Sequence, residues 1–252
     1  DRFMAAFEGS SVAHGQTTVG STRRNGKTEA KSFIVREPLT KELVLGHLEG
    51  NHGIGSIPIN DKNMCKFGAL DIDTYPIDHL AILKKCRRFK IPVVVCRSKS
   101  GGAHLFLFTK DWISATDMRD HLTEFAAVLG FGGCEVFPKQ DKILAERGDV
   151  GNFINLPYFD QKNTLRYAID DKGEEVDFEG FLTMVEKQST TLEKLRQLQF
   201  VDEDSELQSM PPCLRIMFAT SVPDGTRNKV MFHAAVTAKM MYPDNWKATL
   251  EK

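Results

Sequence analysis

The sequence predicts an α+β protein, a mixed catalytic-sized region of strands and helices followed by a small helical module. Three observations predict it. β-prone runs recur between turn signals, at Lys66–Asp73, Val93–Arg97 and Ala103–Phe108. Stretches with apolar residues at helical spacing separate them, each opening on a capping residue. From about Glu179 onward the period becomes helical. The 252 residues suffice for one large core or two small ones. The expected division is 1–200 for the mixed region and 201–252 for the helical module.

Residues 1–32 are rich in Gly, Ser and Thr, with a basic cluster at Arg23, Arg24, Lys27 and Lys31. Their weak periodicity predicts a loop-rich arm or edge structure. Phe33–Arg36 reads as a short strand. Thr40 reads as the N-cap of a helix carrying Leu43, Val44, His47 and Leu48, ended by Gly50 and Gly53. A βαβ-like core begins near Lys66. Asp78 caps a helix with Leu80, Leu83, Cys86 and Arg87, which closes before Pro92. Val93–Arg97 and Ala103–Phe108 form a hairpin around the turn Ser98–Gly102. Ser114 caps the next helix, with Asp117 three residues on as a partial capping box. Met118, Leu122, Phe125 and Leu129 share one face of it, and Gly130 sits at the C′ position. Cys134–Phe137 is a short strand ended by Pro138. Asn152–Tyr158 and Leu165–Ile169 read as strands, with a turn at Asp170–Gly173. Phe181, Met184, Val185, Leu192, Leu195 and Leu198 are helical. An acidic linker, Asp202–Glu206, leads through Pro211-Pro212 to a helical module at Cys213–Lys252. Its helix reaches Lys252 without a cap, which suggests that the parent protein continues. Asp1-Arg2-Phe3 carries neither an initiator Met nor a secretory pattern and reads as a trimmed end.

Composition narrows the function classes. Apolar residues are 41% and charged residues 27%, which argues against wholesale disorder. No run approaches the roughly 18 apolar residues of a membrane span, so no membrane partner is expected. Lys+Arg is 33 against Asp+Glu 34, which excludes a blanket polycationic binder and leaves room for a local basic groove. Five Cys without a C-x-x-C pair argue against a disulfide scaffold or zinc ribbon and suit a reducing, intracellular setting.

Three segments carry chemistry. In Ala69-Leu-Asp-Ile-Asp-Thr-Tyr-Pro76, strand alternation puts Asp71 and Asp73 on one face. Adjacent carboxylates repel, and a divalent cation removes that conflict. The bland alternative is two solvated Asp at a strand end. In Arg97-Ser-Lys-Ser-Gly-Gly-Ala-His104, a turn of small residues can form an anion-binding nest. Ser98 and Ser100 add hydroxyls, Arg97 and Lys99 add charge, and His104 shares a face with Phe106 and Phe108. A satisfied core histidine is the alternative for His104. No Walker A pattern occurs. In Glu135-Val-Phe-Pro-Lys-Gln140, Glu135 lies among hydrophobic neighbours, where unpaired burial is costly. A metal site shared with Asp71 and Asp73 would explain it, as would an ion pair with Lys139 or Arg97. Three carboxylates beside a phosphate-binding turn suit in-line nucleotidyl transfer with two metal ions.

These segments, in this order, resemble the archaeo-eukaryotic primase superfamily, which carries a D-x-D or D-x-E pair, an S-x-H-type motif after a hairpin turn, and a third acid on a later strand. Asp71-Ile-Asp73, Ser100-Gly-Gly-Ala-His104 and Glu135 match in order. The wording of Ser98–Phe108, Glu135–Gln140 and Gly151-Asn-Phe-Ile-Asn-Leu-Pro-Tyr-Phe159 is similar to primase-polymerases of phages and mobile elements. The similarity covers about residues 33–185, and Gly225-Thr-Arg-Asn228 resembles the helical module that follows such domains.

The resemblance implies an RRM-like catalytic sheet with an N-terminal α/β subdomain beside it. It implies primer synthesis on single-stranded DNA from NTPs or dNTPs with Mg²⁺ or Mn²⁺, in the cytoplasm of a bacterial host. It assigns Asp71, Asp73 and Glu135 to the metals, and Ser100 and His104 to the triphosphate; Asp71, Asp73, Glu135 and His104 form the catalytic set. Arg97, Ser98, Lys99, Lys139 and Asn155 are further nucleotide candidates by position. The family's third acid is often Asp and is Glu here. Family members often carry a zinc element, but Cys65, Cys86, Cys96, Cys134 and Cys213 are scattered, and no zinc is predicted. A helicase domain beyond Lys252 is a natural companion. Candidate DNA contacts are Arg23, Arg24, Lys27 and Arg36, and the basic run Lys84, Lys85, Arg87, Arg88 and Lys90, which is equally a solvated helix face. Arg227, Lys229 and Lys239 would assist initiation.

Three rival readings remain open at this point. A D-x-D glycosyltransferase also holds Mn²⁺ and a nucleotide diphosphate, but leaves His104 and Glu135 unexplained. A metal-dependent nuclease would need no NTP. A non-catalytic RRM-like binder would present aromatics where this strand presents carboxylates.

Overall fold

The computed structural model describes residues 1–22 and 28–200 and the pairs 231–232, 235–236, 239–240 and 246–247; of 19–22 and 28–30 it describes the backbone alone. The elements run α1 (Arg2–Ala6), β1 (His14–Thr22), β2 (Thr28–Val35), α2 (Lys41–Leu48), β3 (Gly53–Ser56), β4 (Met64–Ile72), α3 (His79–Arg88), β5 (Val93–Arg97), β6 (Ala103–Ser114), α4 (Ala115–Leu129), β7 (Glu135–Phe137), β8 (Ile154–Asn155), α5 (Phe178–Gln188) and α6 (Leu192–Arg196). They divide into two compact units, residues 1–122 with 135–198, and residues 123–134 with 199–252.

The first unit holds two antiparallel sheets. One has the order β2-β1-β3-β8 and the other β5-β6-β4-β7. In the second sheet β6 runs antiparallel to both β4 and β5, so β4 and β5 are parallel with β6 inserted between them. The expected βαβ-like core is therefore a split βαβ, and β4-α3-β5-β6-α4-β7 is the RRM-like arrangement.

Local signals set the boundaries. Thr40, Asp78 and Ser114 cap their helices: Thr40 accepts from Leu43 N, Asp78 from Ala81 N at 2.9 Å, and Ser114 Oγ from Asp117 N at 3.0 Å. Asp177 caps α5 in the same way, accepting from Gly180 N at 2.7 Å. β5 is a β-branched run, and the turn after it spans Ser98–Gly102 as the spacing requires.

The second sheet is buried on both faces. On one, Phe67 and Ala69 of β4, Phe106 and Phe108 of β6, and Val94 and Cys96 of β5 form the core. Phe7 closes it, its ring centroid 5.2 Å from Phe67, 5.2 Å from Phe106 and 5.4 Å from Phe108. Phe181 and Tyr158 pack on the same cluster. On the other face, α4 lies close against β4. A Cβ on Gly68 would come within 2.7 Å of Met118 Cγ and Leu122 Cδ1, which is why glycine occupies that position.

Three readings of the chain change. The described residues among 1–32 form α1, β1 and the first part of β2, in place of a loop-rich arm. β1 is polar and small, so its strand comes from pairing on both sides and not from its own alternation. Leu165–Ile169 makes only isolated bridges, Cys96 with Ala168 and Ile169 with Glu175. Asn152–Tyr158 contributes the two-residue β8 alone, because Pro157 and the left-handed Tyr158 (φ 62°) end its ladder.

In the second unit, Phe131 and Gly130 turn the chain after α4, and the Phe125 and Phe200 rings meet edge-on at 5.7 Å. The described pairs between 231 and 247 are helical. Arg23, Arg24, Lys27, the acidic linker, Pro211-Pro212, Gly225–Asn228, Arg227 and Lys229 lie outside the described residues. Among the described residues no helix is long and apolar enough to cross a membrane.

Candidate active site

β4 is flanked by β6 and β7, and this sets the site. Asp71 pairs in register with His104 on one side and Glu135 on the other, and His104 pairs with Cys96 beyond. Directly opposed residues point to one face. Cys96, His104, Asp71 and Glu135 therefore form a row across the sheet, on the face whose other end is the phenylalanine core. His104 Nε2 lies 3.2 Å from Asp71 Oδ1, with both side chains mostly covered (11% and 22% exposed). Cys96 is fully buried and burial raises its pKa, so its thiol stays protonated and closes the row as an apolar wall.

Asp73 extends the row at the exposed strand end. A residue the sequence reading missed ties it in place: Tyr75 Oη lies 2.9 Å from Asp73 Oδ1 and 2.7 Å from Ser100 Oγ. The phenol thus joins the D-x-D strand to the small-residue turn. Its partners are 2 and 25 residues away, so no local spacing signals it. His79 is a second such residue, its Nε2 lying 2.9 Å from Gly102 O.

The turn lies hard against β4. Ser98 N donates to Gly102 O at 2.8 Å, and Gly101 takes φ 93°. A Cβ on Gly102 would sit 2.4 Å from Ile72 O and 3.4 Å from Asp73 Oδ1. Only glycine permits that approach. It brings Ser98, buried, and Ser100, exposed, to the carboxylate end, their hydroxyls 3.5 Å apart. Lys99 is exposed. Arg97 braces the neighbouring loop, donating to Leu165 O at 2.8 Å and Ser98 O at 3.3 Å.

Glu135 is exposed, because β7 is an edge strand, so the cost of unpaired burial does not arise. Of its two expected explanations, the ion pair is present: Lys139 Nζ donates to Glu135 Oε1 at 2.8 Å. Gln140 Nε2 donates to Asn152, and its buried Oε1 has no partner among the described residues. Asn155 belongs to the first sheet, opposite Gly55, and accepts from Thr17 Oγ1 at 3.1 Å. The basic run Lys84–Lys90 ends α3 ahead of Val93, while the row crosses β5 at Cys96. That is about 10 Å along the strand. Arg87 there pairs with Asp171.

Asp71, Asp73 and Glu135 offer carboxylate oxygens, the donors that Mg²⁺ and Mn²⁺ take. Two of the three already face nitrogen groups, Lys139 on Glu135 and His104 on Asp71, so the positions favour positive charge. Among the described residues, no three His, Cys, Asp or Glu side chains converge as a preformed metal cage. The donor chemistry fits a hard cation, with water or substrate oxygens supplying the remaining ligands.

Among solved structures, the archaeo-eukaryotic primase (AEP) domain of the cyanophage S-2L primase-polymerase (PrimPol) is similar, at 12% identity and a TM-score of 0.36, covering 69% of this chain and 89% of that one. No curated protein matches. The family model described as the archaeo-eukaryotic primase domain of the TOTE conflict system, AEP-TOTE, matches residues 11–199, well over half of the chain. Its mixed architecture, its RRM-like sheet and that match agree, and the chain belongs to the AEP-TOTE family of archaeo-eukaryotic primase domains.

Proposed function

We propose that the chain is a DNA primase-polymerase, a template-directed nucleotidyltransferase that makes primers on single-stranded DNA from NTPs or dNTPs. The observation that carries this reading is the register row His104–Asp71–Glu135, with Asp73 linked through Tyr75 to Ser100. It puts three carboxylates and a turn of small residues at one end of one sheet.

Asp71, Asp73 and Glu135 hold Mg²⁺ or Mn²⁺. Such ions, when bound, activate an attacking hydroxyl and neutralise charge on the pyrophosphate leaving group. Ser98, Ser100 and His104 receive the triphosphate, with hydroxyls on the side facing Asp73, and Lys99 offers its charge to a nucleotide phosphate from the other side of the turn. Arg97 keeps the turn fixed against the 164–167 loop, and Tyr75 keeps Asp73 from swinging into solvent. Lys139, which pairs with Glu135 at 2.8 Å, would be free to reach the nucleotide if Glu135 held a metal ion. Asn155 supports the nucleotide side from the first sheet through Thr17. The helical module, with Arg227, Lys229 and Lys239, serves initiation, and a helicase domain accompanies the chain.

The test incubates the protein with unprimed single-stranded DNA, labelled ATP or GTP, all four dNTPs and Mn²⁺, beside the Asp71→Ala/Asp73→Ala double variant. Short labelled products from the wild type and none from the variant are expected. If the wild type makes no product on unprimed or primed templates while still binding nucleotide and metal, the reading fails.

A further inference from the structure

A cation stands deep in the first unit, outside the Asp71 row. Arg166 is 8% exposed. Its NH1 reaches Leu156 O only at 3.5 Å, and its guanidinium lies 5.6 Å over the Phe159 ring. Among the described residues no carboxylate pairs with it. Burial lowers its pKa, and no acidic neighbour opposes that effect. An uncompensated buried charge is held at a cost, and proteins keep such groups where they do something.

Arg166 opens on a cleft of about 280 Å³. Thr17 and Gly53 of the first sheet form one wall, and Phe159 and Asp160 form another. Lys99, from the turn between β5 and β6, adds a second cation. The cleft's carboxylate, Asp160, is occupied by Asn163 Nδ2, at 3.3 and 3.5 Å from its two oxygens. The volume is near the lower end of the roughly 300–1,000 Å³ typical of small-ligand sites. A guanidinium backed by an aromatic ring presents its fork in a fixed plane, which suits the paired oxygens of a phosphate.

We propose that this cleft is an anion site separate from the carboxylate row, where Arg166 and Lys99 hold a phosphate group of a nucleotide or of a nucleic-acid strand. The choice of a nucleotide or strand as the source rests on the primase-polymerase reading; the anion site itself does not. Arg166 then acts in binding, with Phe159 as its positioning residue.

Binding of inorganic tripolyphosphate, ATP and the single strand (dT)12 is measured by calorimetry in EDTA, so that no divalent ion contributes. The proteins are the wild type, Arg166→Met, Lys99→Gln and Asp71→Asn. Arg166→Met and Lys99→Gln are each expected to weaken tripolyphosphate binding at least tenfold, and Asp71→Asn to leave it or strengthen it. The same loss for ATP but not (dT)12 identifies a nucleotide tail, and the same loss for (dT)12 identifies the strand. The melting point of Arg166→Met separates binding from scaffolding: a binding role leaves it at or above the wild-type value, since a costly charge is gone. Unchanged tripolyphosphate affinity in Lys99→Gln, whose exposed side chain leaves the fold intact, overturns the site even if Arg166→Met does not fold. Tight tripolyphosphate binding by a wild type that makes no primers would sink the polymerase reading alone.

Discussion

One face of the second sheet has two ends, and they are built to opposite rules. At Phe67 and Ala69 every side chain is fully buried, and Phe7 seals the rings from above. Two residues further along β4, Asp71 meets His104 and Glu135, and beyond it Asp73 is exposed. The same strands, in the same register, supply stability at one end and, on the proposed function, chemistry at the other. Stability and activity should therefore separate cleanly when each end is altered.

The largest expected effect is on the polar end. Asp71→Ala/Asp73→Ala should cut primer synthesis by on the order of 10³-fold. Its melting point should shift by no more than about 3 °C, because neither carboxylate supports the core. A denaturing gel and a thermal melt on the same preparations decide it; a large drop in melting point would break the division. Next is the apolar end. Phe7→Ala should cost about 3–5 kcal/mol in denaturant unfolding, since it empties the space between three rings. Activity per folded molecule, assayed well below the melt, should hold.

His47 sharpens the comparison, as a titratable group that belongs to the closed part. Burial, with a smaller push from the Arg166 charge, lowers its pKa to about 4. Its Nδ1 accepts from Ile54 N at 3.0 Å, so its Nε2 carries the proton and donates to Pro157 O at 2.9 Å. The unfolded imidazole takes a proton near pH 6.5 and the folded one only near 4. Stability should be level above pH 6.5, fall by about 3 kcal/mol as pH drops from 6.5 to 4, and level again below. The slope should vanish in His47→Gln, as urea unfolding at several pH values would reveal. The smallest effect belongs to Tyr75→Phe. Losing one hydrogen-bonding hydroxyl should raise the nucleotide KM roughly three- to tenfold and leave the melt unchanged. An altered melt with unaltered KM would make Tyr75 a structural residue.

What the sequence made legible follows the range of the forces involved. The β5–β6 hairpin and the start of α4 are written locally, in a β-branched run and in Ser114 with Asp117. The D-x-D, S-x-H and Glu135 positions were legible because each occupies a strand end or turn with a chemical signature, and strand pairing alone brings them together. Of the first sheet only parts were legible, the end of β2 in Phe33–Arg36 and β8 within Asn152–Tyr158. Gly15 and Gly55 face each other in register, and the Phe153 ring lies on both, so their apolar cover comes from a residue far along the chain from either. In α3 the buried face is Ile82, Leu83 and Cys86, whereas the spacing alone also allowed Leu80 and Arg87. Tyr75, His79 and Arg166 act through partners that only the fold supplies. The exposure of Glu135 was not legible for a related reason: its sequence neighbours are apolar, but its strand has one open side.

That open side gives the row a timescale. β4 has nine residues and a neighbour on each flank, while β7 has three residues and one neighbour. Local opening of β7 breaks few backbone hydrogen bonds, whereas opening β4 dismantles the sheet. Amide exchange should therefore be slow at Asp71 and fast at Glu135. Asp71 then sits on the strand expected to open last, and Glu135 on an edge strand that would open without dismantling it.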